Sequence, residues 1–131
     1  MNPICTQVMD ELRAHMARVS GQTVVVGALP PDGGLALVPG GGTANRFMDG
    51  DSLLKMSVAV NSKSREQADA LSLLEQSCAD LPTEFCPYAD TWLVSGASIR
   101  RPPTLLGQDS AGWWMYGCNV EIRVYIGMSA L

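Results

Sequence analysis

The residues able to carry out chemistry are few and scattered along the chain. The one histidine, His15, lies between Leu12 and Met16 in an amphipathic run. A hydrolytic dyad needs a nucleophile within hydrogen-bond reach of its base. Cys5 stands ten residues away, about 15 Å along a helix axis, so His15 meets a thiol only if tertiary packing brings Cys78, Cys86 or Cys118 to it. A buried cysteine ordinarily acts as a small, inert hydrophobe, and no catalytic residue is assigned. The four cysteines show no C-x-x-C spacing and have one histidine among them. Both facts argue against a zinc site, and the expected state is four reduced thiols, because the chain is neither small nor cysteine-dense.

Two further stretches invite a ligand. Gly40-Gly41-Gly42-Thr43 could cradle an anion through consecutive backbone N–H groups. The lysine of a phosphate loop is missing and no helix start follows, so a flexible link between strands is expected. Asp49-Gly50-Asp51 sets two carboxylates close together but lacks the further oxygen ligands and closing glutamate of a calcium loop; a turn entering a strand accounts for it. Neither a metal nor a cofactor is expected. Trp92, Trp113, Trp114 and Tyr116 concentrate the aromatic surface, for which packing in a core or interface is the commoner use. Trp113 and Trp114 would point to opposite faces of a strand, so one should turn away from the chain's own core.

The elements that position these residues follow from periodicity. Ile4, Val8, Leu12, Met16 and Val19 form one apolar stripe, and Ser20-Gly21 supplies the small residues on which helices end. Thr23 to Leu29 and Leu35 to Val38 read as strands joined by a turn over Pro30 to Gly34, that is, a hairpin. Pro39 to Asn45 reads as irregular. Leu54, Met56, Val58 and Val60 alternate as a strand. Ser64 and Gln67 have the form of a capping box, opening a helix on which Ala68, Leu71, Leu74, Cys78 and Leu81 recur; Pro82 marks its end. Thr91 to Ile99 and Trp113 to Ile126 are the last strands, joined by an excursion over Arg100 to Gly112. The expectation is a single α+β domain over residues 1–131. Its mostly antiparallel or mixed sheet has about five strands, with both helices on one face, in the order α-β-β-β-α-β-β.

Composition narrows the function classes. The chain has 131 residues, 47% of them hydrophobic, and a net charge of −4, which suits one folded core. Its nine Lys and Arg residues form no basic stripe, so direct nucleic-acid recognition is not expected. No apolar stretch nears the ~20 residues that span a bilayer. A basic leader followed by an apolar segment is missing, so synthesis in the cytoplasm is expected.

Phe47-Met48-Asp49-Gly50-Asp51-Ser52, the alternating strand Leu53 to Val60, the polar step Asn61 to Ser64 and the helix Arg65 to Leu81 resemble the central signature of the tail-terminator (minor capsid) proteins of long-tailed bacteriophages. The final strand Trp114 to Ile126 is similar to that family's last strand. The resemblance implies a structural virion protein at the head-proximal end of the tail. It would form a ring, usually of six copies, that caps the tail tube and meets the head-tail connector. Arg100, Arg101, Leu105 and Gln108 of the excursion, with Trp113 at the start of the last strand and Arg46, are the expected oligomer or tube contacts. The rival readings are another head-tail joining or head-completion protein, a small enzyme using His15 and a cysteine, and a ligand-binding domain around Trp92 and Trp114.

Overall fold

A computed structural model describes residues 4–46, 52–79 and 92–126. Its elements are α1 (Ile4–Ser20), β1 (Val24–Val26), β2 (Gly34–Arg46), β3 (Ser52–Ser64), α2 (Gln67–Ala79), β4 (Trp92–Gln108) and β5 (Trp114–Ile126). The strands form one mixed sheet in the order β1-β2-β3-β5-β4, parallel between β1 and β2 and antiparallel elsewhere. This is the expected α+β arrangement. Among the described residues no helix is long and apolar enough to cross a membrane.

Each helix buries one stripe. On α1 the buried residues are Val8, Met9, Leu12 and Met16, whose spacing follows the 3.6-residue period. The helix closes where Gly21, at φ 68°, donates its N–H to the Ala17 carbonyl at 3.0 Å, a left-handed cap that suits glycine. On α2 the buried stripe is Ala70, Leu74, Ser77 and Cys78, and Ala68 faces solvent, a correction to the stripe expected from Ala68; Leu81 lies outside the described residues. The hydroxyl of Ser77 hides this register, because it donates to the Leu73 carbonyl at 2.8 Å and so enters the core without an unmet hydrogen bond. The expected capping box is also replaced. Ser64 Oγ accepts from Glu66 N at 3.3 Å, while Gln67 Nε2 donates across to Tyr116 Oη at 3.0 Å.

The sheet departs from the sequence reading in four places. First, β1 and β2 are parallel rather than a hairpin. Leu35 N donates to Thr23 O and Gly27 N to Leu37 O, each at 2.9 Å. The short link between the strands reverses twice, using left-handed conformations at Gly27, Gly33 and Gly34. Second, the glycine-rich stretch is part of β2. Gly40 and Gly41 together oppose Ser57, a bulge with Gly41 at φ 89°. Third, Asn61 to Ser64 continue β3, and Ser62 is fully buried, its hydroxyl donating to the Ala70 carbonyl at 2.7 Å.

Fourth, most of the Arg100 to Gly112 excursion is strand. β4 runs to Gln108 and returns through a tight turn into β5. Pro102 and Pro103 fall in the register shift between Arg101 and Thr104. They are tolerated because β4 is an edge strand, with a neighbour on one side only.

One face of the sheet forms the core. Leu35, Leu37, Met56, Val58, Val60, Tyr116, Cys118, Val120, Ile122 and Val124 join the two helix stripes in one buried cluster. This fixes the register, since a one-residue slip would turn each of these side chains to the opposite face.

Candidate interaction surface

The β4–β5 turn is built around Asp109. Its Oδ1 accepts from Ala111 N at 3.0 Å and from Trp113 N at 2.9 Å, its backbone N–H donates to the Trp113 carbonyl at 2.9 Å, and Lys63 Nζ lies 3.7 Å from Oδ2. The backbone N–H of Trp113, then that of Ala111 and the Lys63 charge, hold the Asp109 carboxyl below its ordinary pKa, against a smaller opposing effect of desolvation. The turn sets Trp113 beside two cations, with the Arg65 guanidinium 4.5 Å and Lys63 Nζ 5.4 Å from its ring centroid. Gly33 closes this corner, for a Cβ there would lie 3.0 Å from both the Trp113 ring and the Lys63 carbonyl. Beside Trp113 runs a cleft of about 350 Å³ whose lining includes Gln22, Asp32, Lys63, Asp69 and Gln76. It mixes two carboxylates with one ammonium and so favours neither an anion nor a cation.

The sheet face away from the helices is polar. Lys55, Ser57 and Asn61 on β3 share it with Asn119, Glu121 and Arg123 on β5. Ser57 Oγ donates to Asn119 Oδ1 at 2.9 Å, and Glu121 stands between Arg123 at 3.4 Å and Arg100 at 3.7 Å. Gly96 lets the Arg123 guanidinium lie flat across β4, where a Cβ would collide with it. Exposed ion pairs of this kind add little to stability.

Exposed aliphatic side chains lie toward the two edges of the sheet, Leu106 also reaching over Gly117 beside Asn61 of the polar face. Ile99, Leu105 and Leu106 on β4 are 46%, 46% and 54% exposed. At the opposite edge Val26 of β1 is 45% exposed, with Val38 of β2 and Val19 at the end of α1 also open to solvent. The two edges therefore differ in shape and sequence, yet each presents apolar surface. Among the described residues no group of three or more His, Cys, Asp or Glu side chains is placed to hold a metal. The arrangement offers contact surface at its rims and a polar, internally paired face between them.

Compared with known families, residues 15–126 match the model described as bacteriophage tail terminator protein. The chain belongs to that family. The match runs from the last third of α1 to the last residue of β5, so it takes in the whole sheet, and it agrees with the resemblance read from the central strand and helix. A tail terminator family is structural, and membership puts this chain among the components of the virion tail. No curated protein matches it.

In this family member the six expected contact residues do not form one patch. Arg100, Arg101, Leu105 and Gln108 line the β4 edge, and Trp113 sits at the turn beyond Gln108. Arg46 ends β2 opposite Ser52, whereas Trp114 pairs with Ser64. The 13-residue β3 separates the two ends, roughly 40 Å at ~3.4 Å per residue. The side chain of Arg46, the Asp49-Gly50-Asp51 turn and the side chain of Trp92 lie outside the described residues. Of the other aromatics, Trp114 packs on the core cluster and Tyr116 is buried within it, so they build no open stacking platform. Sequence reasoning missed Ile99, Leu106 and the three valines of the far edge. Leu106 was legible as the second of two leucines between Thr104 and Gly107, but the valines became an edge only once β1 proved parallel to β2.

A second cluster missed from sequence is buried. Cys78 on α2 and Cys118 on β5 place their sulfurs 3.0 Å apart as free thiols. The hydrogen bond between the two sulfurs holds the Cys118 thiol below its ordinary pKa, and the same contact together with burial pushes Cys78 far up.

Proposed function

We propose that this chain closes a head-to-tail ring of identical subunits, six in number, at the head-proximal end of the tail. The ring caps the tail tube and offers its other rim to the head-tail connector. The observation that carries this reading is the pair of unlike sheet edges, each with exposed aliphatic residues. A heterologous contact joins two different patches of the same chain, and it yields a closed ring when the rotation between neighbours divides a full turn. Ile99, Leu105 and Leu106 of one subunit would meet Val19, Val26 and Val38 of the next.

Arg100, Arg101, Leu105, Gln108 and Trp113 then serve the subunit or tube contact, while Arg46, at the far end of the sheet, reaches a different neighbour. Arg101 suits such a contact because it forms no ion pair among the described residues. Assembly takes place in the host cytoplasm. The chain acts through surface alone, without a catalytic residue, a metal or a cofactor, and without reading nucleic-acid sequence. Its polar outer face and net charge of −4 keep the free subunit soluble.

Light scattering on the purified chain tests the ring. The wild type should give a mass several times that of the 14.0 kDa subunit. Leu105→Asp should give the subunit mass with an unchanged circular dichroism spectrum, since the side chain is half exposed. A wild type that stays monomeric at high concentration overturns the proposal.

A further inference from the structure

We propose that Cys78 and Cys118 are a disulfide-forming pair, which a small peroxide converts into a covalent tie between α2 and β5. This inference does not depend on the ring. It rests on the placement of the two thiols. Their sulfurs lie 3.0 Å apart, and a disulfide bond is about 2.05 Å long, so closure needs a relative movement of only about 1 Å. The two side chains come from different elements that already pack together. Both are almost fully buried in the one hydrophobic cluster, so neither has a solvated position to which it could turn.

The pair can close in either order. Written with Cys118 first, its thiolate attacks a peroxide oxygen. The O–O bond breaks, water leaves after proton uptake, and Cys118 becomes a sulfenic acid. The Cys78 sulfur then attacks the Cys118 sulfur, forming the S–S bond and expelling a second water. Two thiols and one hydrogen peroxide thus give one disulfide and two waters. Burial keeps out glutathione and other bulky disulfides, so the oxidant is a molecule as small as hydrogen peroxide, which reaches the pair in local openings of the fold. The tie stays open where cellular reductants prevail and closes where peroxide outlasts them. Once closed, it joins positions 40 residues apart, a loop long enough to restrict the unfolded chain substantially.

The test uses a Cys5→Ser/Cys86→Ser variant, which leaves only this pair. The folded protein is exposed to hydrogen peroxide, then unfolded and alkylated, and its mass and melting temperature are measured. The expected result is loss of two hydrogen atoms, no alkyl group taken up, and a melting temperature higher by roughly 10 °C that dithiothreitol restores to its starting value. Adding Cys118→Ser should abolish all three. If the double variant does not fold, peptide mapping of oxidised wild type should recover the Cys78 and Cys118 peptides joined. Two alkylated thiols after exposure, or oxygen added to either sulfur without a cross-link, would overturn the proposal.

Discussion

Gly34 and Asp109 show how single residues set the ends of this sheet. A Cβ at Gly34 would lie 2.5 Å from the Thr23 carbonyl oxygen, at a φ of 128° that side chains rarely adopt. That carbonyl also accepts from Leu35 N, so it cannot withdraw without breaking the parallel ladder. Gly34→Ala should therefore cost about 1–3 kcal/mol or more, measured as a lower urea midpoint. Asp109 acts through its charge. Its folded pKa lies below the ordinary value of 3.8, so its contribution is complete above that value and is lost as the pH falls through the lower folded one. The wild-type urea midpoint should fall more steeply than that of Asp109→Asn below about pH 4; parallel curves would remove Asp109 from the account. Other single-residue roles were not legible in the sequence. Ser62 and Ser77 look like surface residues until their carbonyl acceptors are known, and the Cys78–Cys118 contact joins elements far apart in the chain.

At the scale of elements, what could be read was what periodicity encodes. The stripe of Val8, Leu12 and Met16 and the alternation of Tyr116 to Val124 each predicted a buried face that the structure contains. Periodicity is silent on the direction in which strands pair, so β1 and β2 read as a hairpin although the glycines between them carry the chain back for a parallel match. Residue preference also misled at β2 and β4. Three glycines and two prolines read as breaks, yet both strands persist by placing those residues at bulges and register shifts. The register of α2 follows Leu74 and Cys78 rather than Ala68, with Leu74 fully buried. Leu74→Ala should cost about 2–5 kcal/mol, read from chemical unfolding, whereas Ala68→Ser should change stability by less than about 0.5 kcal/mol. Equal effects at the two positions would contradict this register.

For the whole molecule, the α+β class and the order of its seven elements were legible in the sequence because each helix has one stripe to bury and the sheet has one apolar face to receive them. The rims were not, because an edge is a property of strand order, and the order β1-β2-β3-β5-β4 leaves β1 and β4 outermost. That order separates two apolar rims and exposes a polar face between them, which suits a subunit that works by contact. The most direct measurement is electron microscopy of tail tubes polymerised from their own tube protein, with and without this chain. The account predicts that adding the chain halts tube growth and leaves a ring at one end, and that Leu105→Asp does neither. Tubes that continue to lengthen, with bare ends and the chain remaining in solution, would contradict it.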